Sequence, residues 1–258
     1  MRCAVVGHVE WTEFALVDHV PPAGEIAHAT EHWSGPAGGG AVVAAQLAKL
    51  AGGCDFFTAL GDDELGHASV RRLEELGLDV HVEWFGRTRR AITLVDEHGE
   101  RTITTIGPKL RPRELVRDVY DALFFVAGEP EVLRSARSSL YVAATPRELE
   151  TLRAAEVYLD LLVGSGTDPG ERYDGSLAVG IVVQTQGAAG GIADGRRFRA
   201  VDPPAPIVDA YGAGDSFAAG LCFALARGDS LDGALQLAAQ AGAAVITGAG
   251  PYDAQLRL

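Results

Sequence analysis

Short apolar runs alternate with helical segments along this chain, and that rhythm leaves it few folds. "RCAVVG" (Arg2–Gly7) is apolar, ends in glycine and reads as a buried strand. "GGGAVVAAQLAKLAG" (Gly38–Gly52) is alanine-rich and reads as a helix entered from a glycine loop. "CDFFTALG" predicts a second buried strand, and "DELGHASVRRLEELG" (Asp63–Gly77) a helix closed by a glycine. "ALFFVAG", "SSLYVAA", "AEVYLDLLV" and "LAVGIVVQT" supply four more apolar runs. Strands alternating with helices imply a mostly parallel sheet covered on both faces. "RRAITLVDEHGERTITTIG" (Arg89–Gly107) breaks the rhythm: two β-branched runs meet at Glu97-His98-Gly99-Glu100, a hairpin signal. With "TEFALVDHVPPAGEIAHATEHW" it predicts a small β extension, its strands lying at about 10–34 and 86–107. "PRELVRD" and "PRELETLRAAE" place Pro and Glu at helix starts and read as capped surface helices. After Asp215 the chain reads as helical. No repeat or linker interrupts it, so residues 1–258 are expected to form one domain.

Hydrophobic residues make up 47% of the chain, enough for a large core, and the net charge is −13. That charge argues against a nucleic-acid partner or an anionic membrane surface. It does not argue against a phosphate ligand, because backbone N–H groups build such sites. Cys3, Cys54 and Cys222 are odd in number and far apart, which suits a reducing cytoplasm. The N-terminal apolar run is too short for a signal peptide, and no run reaches membrane-spanning length.

"DAYGAGDSFAAG" (Asp209–Gly220) sets a Gly-Ala-Gly run against an acid at the mouth of a helix. Gly212 and Gly214 let the backbone turn its N–H groups inward. A helix starting near Asp215 adds unpaired N–H groups and the positive end of its dipole. The result is an anion hole with a carboxylate at its edge. That acid suits a base that takes a proton from a hydroxyl attacking a phosphoryl group. The same letters also fit a plain capped helix start, since Asp is a common N-cap.

The stretch Asp209 to Asp215 closely resembles the C-terminal signature of the ribokinase-like (PfkB) carbohydrate kinases. "PPAGEI" resembles the P-x-P-G-E segment of that family, and "GGGAVVAAQLAKLAG" its Gly-Gly helix. "FFTALGDDELG" is similar to its strand followed by G-D-D-x-x-G. "RAITLVDEHGERTI" resembles its lid hairpin, and "VVQTQGAAGG" its T-x-G-x-x-G nucleotide loop. These landmarks follow the family order across nearly the whole chain. The resemblance implies a three-layer α/β/α sandwich with a mostly parallel sheet and a β lid. It implies ATP as phosphoryl donor, Mg2+ on the phosphates and a sugar or polyol as acceptor. Asp215 is then the base, and Gly212, Ala213 and Gly214 form the anion hole. Thr185, Gly187 and Gly190 fall on the nucleotide loop, and Gly38 and Gly39 on the substrate side. Asp209 opens a segment that helps bind a monovalent cation in some members, and it counts with the substrate-side residues.

The chain also departs from the family. Alignment from the glycines puts Val43 where an asparagine usually binds substrate hydroxyls. Thr12 stands at the place of a hydroxyl-binding aspartate, with Glu10 and Glu13 nearby, which suit a different polyol or a cationic substrate, or are solvated acids on a lid strand. Losing both groups disfavours a ribose-type sugar. The N-x-x-E metal motif reads as lost in "GSGTDPGERY", in residue and in spacing. Asp168 and Glu171 are its candidate stand-ins, against an alternative as turn residues. A non-catalytic metabolite or nucleotide sensor on a kinase scaffold is the rival reading.

Other signals are set aside. "HATEH" (His28–His32) fits a zinc-peptidase pattern, but Pro and Gly on both sides leave little room for a helix. No P-loop is present, and no G-x-G-x-x-G follows the first strand. Arg87, Arg89 and Arg90 form a basic cluster that suits either a phosphate or a charged hairpin edge. An exposed lid sheet makes pairing into a homodimer an open expectation.

Overall fold

The computed structural model describes residues 1–115 and 119–258. Its first half runs β1 (Cys3–Val6), β2 (Glu10–Leu16), β3 (Glu31–Ala37), α1 (Gly39–Ala51), β4 (Cys54–Leu60), α2 (Glu64–Glu75) and β5 (Leu78–Trp84). A hairpin follows, β6 (Arg90–Val95) and β7 (Arg101–Ile106). Then come β8 (Ala122–Phe125), α3 (Pro130–Ala136), β9 (Tyr141–Ala144), α4 (Leu149–Ala155) and β10 (Leu159–Ser165). The chain ends with β11 (Val179–Thr185), β12 (Gly191–Ala193), β13 (Arg196–Phe198), α5 (Ala213–Ala226) and α6 (Leu231–Val245).

Nine strands form one sheet in the order β13-β12-β11-β10-β9-β8-β1-β4-β5. From β11 to β5 every pairing is parallel; only β12 and β13 turn back antiparallel. Alternate side chains of the central strands enter opposite cores. Cys3 and Val5 join Leu47, Leu221 and Leu235 of α1, α5 and α6, whereas Ala4 and Val6 join Leu133 and Leu152 of α3 and α4. The sheet is therefore the middle of three layers, and its strands need apolar residues on both faces. The three free cysteines are buried in the first of these cores.

The expected β extension is a separate four-stranded sheet, β3-β2-β6-β7. Its strands are shorter than the reading of 10–34 and 86–107, because residues 17–30 form a loop. Along β2, Glu10, Thr12 and Phe14 are buried, and their partners Ala91 and Thr93 on β6 are buried with them. The opposite face carries Trp11, Glu13 and Ile92 towards solvent. "HATEH" falls partly on β3, where adjacent Glu31 and His32 point to opposite faces. "PRELVRD" does not start a helix: 112–115 are irregular, and its last three residues lie outside the described ones. "PRELETLRAAE" opens with a 3-10 turn at Pro146–Glu148 before α4.

The G-D-D-x-x-G segment is the joint between sheet and lid. Asp63 caps α2 through the Gly66 amide at 2.9 Å. Its carboxylate also accepts from the Thr88 amide at 2.9 Å and the Thr88 hydroxyl at 2.7 Å. Thr88 leads into β6, so one side chain ties a helix start to the base of the lid. Gly61 is required there: a Cβ would meet the Thr88 nitrogen at 2.3 Å. Asp63→Ala is expected to lower unfolding stability by about 1–2 kcal/mol in urea titration. Asp63→Asn, which keeps an acceptor for the Gly66 amide, is expected to recover part of the loss.

Candidate active site

Gly212 occupies the N-cap of α5 with φ of 83°, and the helix begins at Ala213. The start is thus two residues earlier than expected, and Asp215 lies in the first turn. The capped-start reading fails here, since no side chain caps this helix. A Cβ on Gly212 would lie 2.9 Å from Val42, so glycine meets both the left-handed φ and the crowding. The amides of Gly214 and Asp215 precede the first residue with an intrahelical acceptor and are free to bind an anion. Asp215 is half-buried beside them. Burial pushes its carboxyl up to about 6; Arg101 and Arg147 oppose the rise, and Glu171 and Glu10 add to it.

The opposite wall comes from the turn into α1. A Cβ on Gly40 would lie within 2.8 Å of backbone atoms of Gly7 and His8, so α1 starts in direct contact with the end of β1. That contact sets Gly39 against the acid: a Cβ there would stand 3.0 Å from Asp215 Oδ1. The Gly38 amide donates to Tyr211 Oη at 3.1 Å. Next to Gly38 lies His8, then Glu10, so acid, glycines, imidazole and second acid form one continuous strip.

Glu10 is buried, which pushes its carboxyl up; Arg89, 3.3 Å away, opposes that rise. Burial keeps His8 neutral, reinforced by Lys109, Arg89, Arg111 and Arg147. His8 Nδ1, Thr12 Oγ1 and Arg89 Nε are buried without hydrogen-bond partners among the described residues. Val43 is corrected: its side chain belongs to the main core. Val42 instead packs with Phe14, Ala37 and Tyr211 beneath the lid. Asp209 has no exposed surface, and its two oxygens accept from the Tyr211 and Gly250 amides. It clamps the loop ahead of Gly212.

Sequence reading misses a charged cleft at the ends of β8, β9 and β10. The cleft measures about 490 Å3 and is lined by Arg111, Glu129, Arg147, Glu148 and Thr151 among others. Buried Glu148 binds both Lys109, at 2.8 Å, and Arg111, at 2.6 Å. Glu129 stands at the start of α3 without capping it. Asp168 and Glu171 both bind Arg147, and Glu171 also accepts from the Ser165 amide. The reading that the N-x-x-E spacing is lost is wrong: these two acids are three residues apart at the end of β10. Thr185 ends β11, and Gly187 and Gly190 shape the turn into β12, both with positive φ. A Cβ on Gly190 would strike the Phe198 carbonyl oxygen at 2.1 Å.

Comparison with known proteins identifies the family and the fold. The chain matches the pfkB family carbohydrate kinase description over residues 1–155 and 141–256. It is 29% identical to the ATP-dependent ribose-1-phosphate kinase of Halopiger xanaduensis, over 94% of this chain and 91% of the relative. It is also 29% identical to the fructosamine kinase of Bacillus subtilis, over 80% of this chain and 82% of the relative. Arabidopsis thaliana ribokinase, solved with ribose and ATP, shares the fold at a TM-score of 0.75 and 21% identity. That likeness spans 99% of this chain and 96% of the other.

Proposed function

We infer the reaction from one premise: this chain belongs to the pfkB family of carbohydrate kinases. It transfers the γ-phosphoryl group of ATP to a hydroxyl of a small sugar-like acceptor. The observation that carries this reading is Asp215, a half-buried acid with a raised pKa beside free helix-start amides. A pure sensor has no use for a base at an anion hole.

Asp215 takes the proton of the acceptor hydroxyl as its oxygen attacks the γ-phosphorus, and ADP leaves with the bridging oxygen. The Gly214 and Asp215 amides and the α5 dipole hold the charge spread over the transferred group. Bound ATP supplies the phosphoryl group, and Mg2+ its charge neutralisation. Asp168 and Glu171 are the residues that would hold the hydrated ion: with Arg147 they carry a net single negative charge. Thr185, Gly187 and Gly190 line the nucleotide side, and the lid excludes water.

The acceptor side favours a substrate that is itself anionic, a sugar phosphate. Every charged group that shifts His8 appreciably is a cation, and Glu148 answers two cations with one charge. The activity named for the Halopiger relative points the same way. The exposed outer lid face, with Ile92 and Ile106, is the surface we assign to a homodimer. Sedimentation velocity tests it: Ile92→Glu is expected to leave monomer only.

Asp215→Asn is expected to lower kcat about 1,000-fold while ATP binding, measured by calorimetry, persists. Because the base works as a carboxylate, kcat/KM falls as pH drops through about 6 and levels off above it. Retained turnover in the Asn variant sinks the mechanism. In an ADP-release assay, ribose 1-phosphate is expected to outperform ribose. Arg111→Ala is expected to raise the KM for ribose 1-phosphate about tenfold, from the loss of a charged hydrogen bond. A neutral polyol preferred over every phosphate ester would overturn the anionic-acceptor reading.

A further inference from the structure

One lid residue stands outside this scheme. Arg101 opens β7, and its register with Val95 and Leu16 puts it on the inner lid face. It reaches out of the lid: Nη1 donates to the Ala210 carbonyl at 3.0 Å. The guanidinium carbon lies 5.8 Å from the centre of the Tyr211 ring. Two residues earlier, the Gly99 carbonyl accepts from the Ala210 amide at 2.9 Å. Both backbone polar groups of Ala210 are therefore held by the lid hairpin. The hairpin tip fits that surface closely: Gly99 has φ of 78°, and a Cβ there would meet Ile207 at 3.0 Å.

We propose that Arg101 is a lid-borne positioning residue, delivered by the hairpin to the Ala210–Tyr211 backbone so that lid closure is registered at the loop carrying Asp215. The inference rests on Asp215 being the base. The charged groups that act on Asp215 come from several elements: Arg101 from the lid, Arg147 and Glu171 from the ends of β9 and β10, and Glu10 from β2. Arg101 is the strongest of the groups that oppose the effect of burial. Arg147 is fixed by its own acids on the sheet side. Arg101 and Glu10 both belong to the lid sheet and act on Asp215 in opposite directions, Arg101 the more strongly. An open lid therefore raises the proton affinity of Asp215, and a closed lid lowers it. The base becomes fully competent once the acceptor is covered, which suppresses attack by water on ATP.

The test is a carboxyl titration of the full chain by NMR with 13C-labelled aspartate, in which Asp215→Asn identifies the Asp215 signal. In Arg101→Met its midpoint is expected to rise by about half a unit or more, and Arg101→Lys is expected to restore most of the change. An unmoved midpoint in Arg101→Met overturns the proposal. In turnover, the acid limb of kcat/KM is expected to move up in the same variant, with the KM for ATP within about twofold. A rate lost equally at every pH would reduce Arg101 to a structural clip and would also overturn it. Arg90→Ala, on the outer face, serves as the control with no shift. If the chain shows no kinase turnover at all, the reading of the reaction fails, and the titration still decides whether residues 101 and 215 are coupled.

Discussion

Tyr211 is the contact on which the site depends. Its hydroxyl accepts from the Gly38 amide, which fixes the entry to α1. Its amide is held by Asp209, which fixes the loop before α5. Phe14 of the lid meets its ring edge-on at 5.2 Å, and Arg101 reaches its vicinity from β7. Sheet, helix start and lid thus share one aromatic side chain with almost no exposed surface. Burial raises the phenol pKa well above its ordinary value, so it remains a neutral hydrogen-bonding group throughout the working pH range.

Around that keystone, glycine does what no other residue can. The start of α1 approaches β1 so closely that Gly40 has no room for a side chain. The same approach places Gly39 against Asp215, with no side chain between them. On the other wall Gly212 adopts a left-handed φ and starts α5 two residues before the acid. The free amides that start α5 and the Asp215 carboxyl therefore belong to one helical turn, and their separation is set by helix geometry.

Parts of this were legible from residues alone. The parallel sheet was readable because both of its faces are buried and its strands carry unbroken apolar runs. The hairpin was readable from its alternating β-branched residues. The helix start at Ala213 was not, since it depends on a backbone angle at Gly212 that glycine permits without requiring. Val43 was misplaced for a related reason. In a helix of such small residues, Val42 and Val43 carry equal hydrophobic signal, and only the direction of approach separates lid from core. Asp168 and Glu171 looked like turn residues because their partner, Arg147, lies 21 to 24 positions away. Arg101 was hidden in the same way: its contacts at Ala210 and Tyr211 lie more than a hundred residues on.

The departures from the family pattern then acquire a physical meaning. Val42 packs with Phe14, Ala37 and Tyr211 under the lid, yet the neighbouring strip is not apolar. Among the described residues, His8 Nδ1 and Thr12 Oγ1 are buried without hydrogen-bond partners, and Arg89 Nε meets Glu10 only as an ion pair. Leaving such atoms unpaired costs about 1–3 kcal/mol each. A site with this many unmet polar groups is stabilised by whatever ligand pairs them. Glu10 and Arg89 answer one another across 3.3 Å, so a neutral hydroxyl has to compete with an ion pair for either of them. At Lys109 and Arg111 the balance differs, because two cations share the single carboxylate of Glu148 and leave a net positive charge. The chain thus sets paired charges beside a half-buried acid and the free amides that start α5.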